Sequence, residues 1–349
     1  MKALCFFEHG GIDKLRFGTD IPTPEPRAGE VRVQIRAAAL NHLDFWVLLG
    51  SPAYPVKLPH ISGCEASGVV ESVGEGVSLY KQGDEVIIPP GQPCGTCRFC
   101  RLGLDNSCEN WKMFGAHIPG GFAEYAVVPE KYLLPKPDTV SFEKAAAFPL
   151  SYLTAWHLLI TQAQLKAGET VFIVGAGSGI GAAGIQIAKH AGAHVIAGTS
   201  SMAKQAACLK VGADVVVDTS KPDFSNQVRE LAGGRGVDVV FEHVGPVTFD
   251  QSLKSLDKNG RLAICGVTTG PVAPLDIRYL FSRQIRVIGS MLGTHQEMEL
   301  VTRLVAEGIL DPVIFEIWPL SRGREAFAVM ERKEHMGKLV LRMDSAETS

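Results

Sequence analysis

A chain of 349 residues is about twice the ~100–200 residues of one domain, so two cores are expected and a single small module is excluded. Hydrophobic residues make up 46% and charged residues 20%, the balance of a folded globular protein, which excludes global disorder. The 34 basic and 37 acidic residues give a net charge of −3 without a long run of one sign, so nothing points to nucleic acid or membrane and a small-molecule partner is expected.

The apolar run at the start of the chain ends at Glu8, short of the ~7–15 residues of a signal-peptide core. The longest apolar stretch, 145–160, contains Pro149, Ser151, Thr154 and His157 and falls below the ~20 residues that span a bilayer. A cytoplasmic protein is therefore expected. Residues 31–36 alternate with period two, 67–74 read as strand then turn, and 84–88 read as a strand before Pro89 and Pro90. The first third is thus an irregular β domain.

Four of the eight cysteines, Cys94, Cys97, Cys100 and Cys108, follow at gaps of two, two and seven residues. Thiolates so spaced can converge on one tetrahedral zinc, a closed and therefore structural site. Disulfides, which a cytosolic setting opposes, and an iron–sulfur cluster are the weaker alternatives. Ferredoxin runs place the fourth cysteine three residues on, before a proline, and this chain does neither.

From about Thr170 apolar strands alternate with amphipathic helices. Strands are expected at 170–174, 194–198, 214–217, 237–242, 261–265 and 285–289, which in this βα rhythm gives a doubly wound parallel six-stranded sheet of Rossmann type. The first strand runs into Gly175, Gly177, Ser178, Gly179, Ile180 and Gly181, with a helix expected over 182–191. Glycines between a strand and a helix N-terminus let the backbone approach a pyrophosphate and aim free N–H groups at it. The spacing departs from G-x-G-x-x-G, because Ile180 stands where the third glycine would fall counting from Gly175. The second strand ends at Thr199 and Ser200 without a carboxylate, and Lys204 follows. A carboxylate there would repel a 2′-phosphate, whereas hydroxyls leave room and Lys204 offsets its charge, so NADPH is expected. A solvated Lys204 on a helix face is the plainer alternative. Residues 337–342 read as a last strand that rejoins the first domain.

These features resemble the medium-chain dehydrogenase/reductase superfamily, the zinc alcohol dehydrogenases and quinone oxidoreductases. The resemblance spans essentially the whole chain. It rests on Gly63-Cys-Glu-Ala-Ser-Gly-Val-Val-Glu-Ser-Val-Gly74, Gly83-Asp-Glu-Val86, the cysteine lobe, Gly120-Gly-Phe-Ala-Glu-Tyr125, the glycine loop, and Asp238-Val-Val-Phe-Glu-His-Val-Gly245. It implies an α/β protein in which a GroES-like β domain, 1–151 and 292–349 with a zinc lobe near 91–111, surrounds a Rossmann cofactor domain at 152–291. It also implies cofactor contacts from His42, Thr154, Val244 and Gly266, and a homodimer or homotetramer, with which the apolar strand 285–289 at the sheet edge is compatible.

The departures from the family bear on chemistry. Zinc alcohol dehydrogenases bind a catalytic zinc through a Cys near residue 41, the His of a Gly-His-Glu, and a Cys or Asp near residue 150. This chain has Asn41, Cys64 and Leu150 there, and Leu43 in place of the relay hydroxyl. One structural zinc per chain and no catalytic zinc are expected, with a rearranged site from His42, Asp44, Cys64 and Glu65 as the alternative. Zinc-independent relatives reduce quinones or α,β-unsaturated carbonyls with NADPH. Asn41 aligns with an Asn typical of quinone oxidoreductases and is the expected donor. Tyr54 lines the pocket or gives a hydrogen bond, or is an ordinary core or surface tyrosine. Phe45 and Trp46 would wall the pocket. The competing functions are an alcohol dehydrogenase with an unconventional metal, and an NADPH-binding regulatory or structural protein without turnover.

Overall fold

The computed structural model describes residues 1–343. The chain forms two compact units, one of Met1–Leu150 with the C-terminal segment from Ile314, the other of Ser151–Val313.

The centre of the first unit is the strand Glu30–Ala39. Val31, Val33 and Ile35 alternate inward as their period-two spacing demands, and the strand then ends in three buried alanines. Those small side chains let Ala146 and Ala147 of the helix Phe142–Ala147 pack against Ala37, Ala39 and Val340. The central strand pairs antiparallel with Ala66–Val73, with Tyr125–Pro129 and with Lys338–Arg342. The last of these brings the C-terminal strand into the sheet; Ile314–Pro319 then adds parallel to it at the edge. This is a GroES-like β domain built from both ends of the chain.

The second unit is a six-stranded parallel sheet ordered Val215–Asp218, His194–Thr199, Thr170–Ile173, Val237–Glu242, Leu256–Ile264 and Arg286–Gly289. The strand order reverses between Thr170–Ile173 and Val237–Glu242, the switch point at which Rossmann sheets bind their ligand. Phe172, Ile196, Val217, Val240 and Leu262 come from five neighbouring strands and share one buried cluster with Phe224 and Phe249 of the covering helices.

The return to the first unit falls at Ile314 rather than at residue 292. The helix His295–Ala306 stays with the second unit because Glu297 accepts hydrogen bonds from buried His157, and Gly293 closes on Leu153. No helix among the described residues is long and apolar enough to cross a membrane.

Candidate functional site

In the second unit, the strand Thr170–Ile173 ends in a loop in which Gly175, Gly177 and Gly181 each face an obstruction. A Cβ on Gly175, at φ +63°, would lie 2.9 Å from the His243 ring, and one on Gly181 would lie 2.5 Å from the Gly175 carbonyl. The helix begins at Gly179, three residues earlier than expected. Gly181, not position 180, takes the close helix–strand approach that the third glycine serves in this motif. Ser178 caps the helix: its hydroxyl accepts from Gly181 N at 3.0 Å and donates to Gly175 O at 2.9 Å. Among the described residues the N–H groups of Gly177, Gly179 and Ile180 carry no hydrogen bond. Orphan donors at a helix N-terminus, in a loop where Gly175 and Gly181 leave no room for a Cβ, fit a pyrophosphate.

Thr199, Lys204, Val244 and Gly266, all expected at the cofactor, lie on or beside this loop. Thr199 is buried at the end of its strand, and its Oγ1 accepts from Ser201 N. The Lys204 stem lies across the loop, its Cδ 2.6 Å from where a Cβ on Gly177 would stand. Val244 and His243 touch Gly175, and Gly266 packs against the His243 backbone. Thr154 is buried in the helix Pro149–Trp156.

Two residues here escaped the sequence reading. Glu242, fully buried, holds the Val244–Gly245 turn: Oε1 accepts from Val244 N at 2.6 Å and Gly245 N at 3.0 Å, and Oε2 from Ser252 Oγ at 2.5 Å. His243 lies 3.4 Å from Ser178 Oγ, and burial holds its pKa below the ordinary histidine value. A charged residue inside an apolar strand run was the available signal.

In the first unit the four lobe cysteines converge, with all sulfurs within 4.8 Å of one another. Backbone N–H groups point at them: Thr96 N and Cys97 N at Cys94 Sγ, Cys94 N and Asn110 N at Cys108 Sγ. The Thr96 N–H, foremost, draws the Cys94 thiol down to about 5. A tight set of four sulfurs, two of them accepting backbone N–H groups, fits tetrahedral zinc.

The residues at the catalytic-zinc positions are arranged differently. Lys338 Nζ, buried on the C-terminal strand, donates to Glu65 Oε1 at 2.7 Å, Leu40 O at 2.7 Å and Asn41 Oδ1 at 2.5 Å. An ammonium has three hydrogens, and all are used. Asn41 Nδ2 donates to Glu65 Oε1 at 2.7 Å and faces Cys64 Sγ and Ala39 O, each at 3.3 Å. Asn41 is therefore engaged at both ends, and the expected role as donor to substrate does not fit this geometry. Leu150 contributes through its backbone, its N–H donating to Glu65 Oε2 at 2.7 Å.

Asp44 is equally committed, Oδ2 accepting from Asn41 N at 2.8 Å and Oδ1 from Gly63 N at 3.0 Å. Burial pushes its carboxyl up to about 7. Burial, with the charges of Asp44 and Glu65, likewise pushes the Cys64 thiol well above its usual value. The alternative of a metal shared by His42, Asp44, Cys64 and Glu65 is not what these groups form. Among the described residues only the cysteine lobe brings three or more His, Cys, Asp or Glu donors together.

Tyr54 lies half-buried in the loop 49–59, and among the described residues its hydroxyl has no hydrogen-bond partner. Its ring meets that of His117, centroids 5.7 Å apart. Burial, then the neighbouring Cys64, raises its pKa. His42 is exposed, with Phe45 and Trp46 against its ring. Phe45 itself is buried against Phe327 and belongs to the core, leaving half-exposed Trp46 as the accessible aromatic.

A GroES-like domain with a four-cysteine lobe, carrying a Rossmann unit with an open phosphate loop, defines a nucleotide-dependent oxidoreductase. Residues 27–138 match the alcohol dehydrogenase GroES-like domain family, and residues 179–307 the zinc-binding dehydrogenase family. The chain belongs to the medium-chain dehydrogenase/reductase superfamily. It is 34% identical to acryloyl-coenzyme A reductase of Metallosphaera sedula, over 92% of this chain and 95% of that one. Among solved structures, an NAD-dependent alcohol dehydrogenase superposes with TM-score 0.94 at 42% identity, covering 99% of this chain and 100% of that chain. The crotonyl-CoA carboxylase/reductase AntE in complex with NADP superposes with TM-score 0.90 at 27% identity, covering 98% and 94%.

Proposed function

We propose that the protein is an NADPH-dependent reductase of quinones or α,β-unsaturated carbonyl compounds that works without a catalytic zinc. The carrying observation is the Lys338 ammonium, hydrogen-bonded into Asn41 and Glu65. The side chains at the catalytic-ligand positions offer an amide, a single thiol and a leucine. Oxidising a simple alcohol calls for a Lewis acid on its oxygen, and this set would hold one poorly. An unsaturated carbonyl needs less, because the incoming charge spreads onto its oxygen.

NADPH, bound on Gly175–Gly181 with Thr199, Ser200 and Lys204 around its 2′-phosphate, would supply hydride. Hydride supplied to the β-carbon of an unsaturated carbonyl would push the double-bond pair toward the carbonyl oxygen. In the first unit Tyr54 is the group that would supply the proton the substrate carbanion gains, from its Oη, and it would recover one from water. The unpartnered hydroxyl of Tyr54 is what replaces Asn41 as the donor. Glu242 keeps the Val244–Gly245 turn rigid beside the phosphate loop. One zinc in the cysteine lobe serves the fold, and its thiolates suit the reducing cytoplasm.

The reductase and the NADP complex among the similar proteins support this reading. The similarity to an NAD-dependent alcohol dehydrogenase favours a second one, alcohol oxidation with NAD. Against it stands the absence of a carboxylate at the end of the strand His194–Thr199. We also propose a homodimer or homotetramer, since Arg286–Gly289 ends the parallel sheet with Val287 at 40% exposure and Phe281 nearby in sequence at 74%.

The test is coenzyme oxidation with benzoquinone, methyl vinyl ketone, crotonyl-CoA and simple aldehydes, with zinc per chain measured on the same sample. Turnover of NADPH with the quinone or the unsaturated carbonyls at one zinc per chain is expected. Two zincs with activity only on simple aldehydes or alcohols would overturn the reading.

A further inference from the structure

The catalytic unit has no strand or α-helix between Leu48 and His60, so Tyr54 rides on a loop. A proton donor on a loop needs something to aim it, because a displacement of about 1 Å can cost ~100-fold in rate. Within the loop the backbone bond of Tyr54 runs to Ser51, N–H to O at 2.9 Å, which closes a turn but does not orient the ring. Among the described residues, the aromatic side chain that meets the ring is His117.

His117 is itself fixed from two directions. Its backbone N donates to Met113 O at 2.8 Å, and its Nδ1 accepts from Met113 N at 3.0 Å. The Nδ1 lone pair is therefore in use, and the ring proton of the neutral imidazole sits on Nε2. A proton on Nδ1 would face the Met113 N–H, and burial also holds this imidazole below the ordinary histidine pKa. On the loop side the Ala53 backbone interacts with the imidazole. The Tyr54 ring packs against it with planes at 61°. A neutral, singly tautomeric ring anchored to the segment 113–117 thus contacts two successive loop residues, one of them the tyrosine.

We infer that His117 is a positioning residue for Tyr54, holding the loop and the phenol ring so that the hydroxyl stays directed away from protein partners and toward substrate. The inference rests on the reading of Tyr54 as proton donor. His117 does not touch the reacting atoms; it acts through the tyrosine.

A double-mutant cycle on the full chain, with NADPH and methyl vinyl ketone, tests it. Y54F should lower kcat about 100-fold, the usual scale for a lost general acid. H117A should lower kcat about 10-fold with the KM for NADPH unchanged, and by less than about twofold when added to Y54F. H117N keeps an acceptor for the Met113 N–H while removing the ring, so it should fold as wild type and show the same kcat loss. Equal losses from H117A in both backgrounds would mean a general structural role and overturn the inference while leaving Tyr54 as donor. Full activity of H117N would overturn it as well. Full activity of Y54F would sink the donor reading and the inference together.

Discussion

Replacing Lys338 by methionine probes the central feature of the catalytic unit. The side chains are of similar volume, so the change removes charge and hydrogen bonds while leaving little cavity. Lys338 is 4% exposed, and its partner Glu65 is fully buried 2.7 Å away. In K338M the Glu65 carboxylate keeps Asn41 Nδ2 and Leu150 N but loses its counter-charge, and Leu40 O and Asn41 Oδ1 lose a donor. Removing one partner of a buried pair costs about 3–5 kcal/mol. At about 2–4 °C per kcal/mol, the melting temperature of this unit should fall by roughly 6–20 °C. Trp46, Trp111 and Trp318, three of the four tryptophans, lie in this unit, so their fluorescence follows its melting. K338M/E65Q removes both charges and should recover a large part of the loss. A single variant that melts with wild type, or a double variant no better than the single, would refute the reasoning.

Substituting Cys97 or Cys100 by serine should abolish the single zinc, read by metal analysis, and lower the melting temperature without changing coenzyme preference. K204A should raise the KM for NADPH about 10-fold and leave that for NADH unchanged, since only the 2′-phosphate loses a counter-charge; steady-state kinetics with both coenzymes decides. His60 is buried, its Nε2 3.1 Å from Gly115 O, and burial depresses its pKa. The unfolded chain therefore binds the extra proton first as pH falls below about 6.5, so stability is full above that value and declines beneath it. H60Q should flatten that decline in melting curves taken across the acid range.

The parallel sheet was legible because each strand is a compact apolar run, and all six expected strands are present. Their ends were less so. The strand Leu256–Ile264 starts five residues before its expected position because Asp257, Lys258 and Asn259 are polar, Asn259 has a positive φ, and the pairing with Val237–Glu242 is irregular there. The second crossing, placed at 292 on the family resemblance, falls later because the tie between His157 and Glu297 spans 140 residues and leaves no local mark in the sequence. The same holds at the site. Asn41, Cys64 and Leu150 could be recognised as departures from zinc ligands, but the group that satisfies Asn41 and Glu65 comes from Lys338, 273 residues beyond Glu65. Its one local trace is a lysine inside the apolar strand Lys338–Arg342, buried at its first four positions. The glycine loop shows the converse. The motif was plain, yet only the backbone reveals that Gly181 performs the close approach.

The most direct test of the account follows the hydride itself. The full-length protein is given NADPH deuterated at the transferable position, with crotonyl-CoA or methyl vinyl ketone as acceptor, and the product is examined by NMR. Deuterium on the β-carbon of a saturated product that keeps its carbonyl is the predicted result. Deuterium on the former carbonyl carbon of an alcohol product would contradict the account and return the protein to alcohol dehydrogenase chemistry.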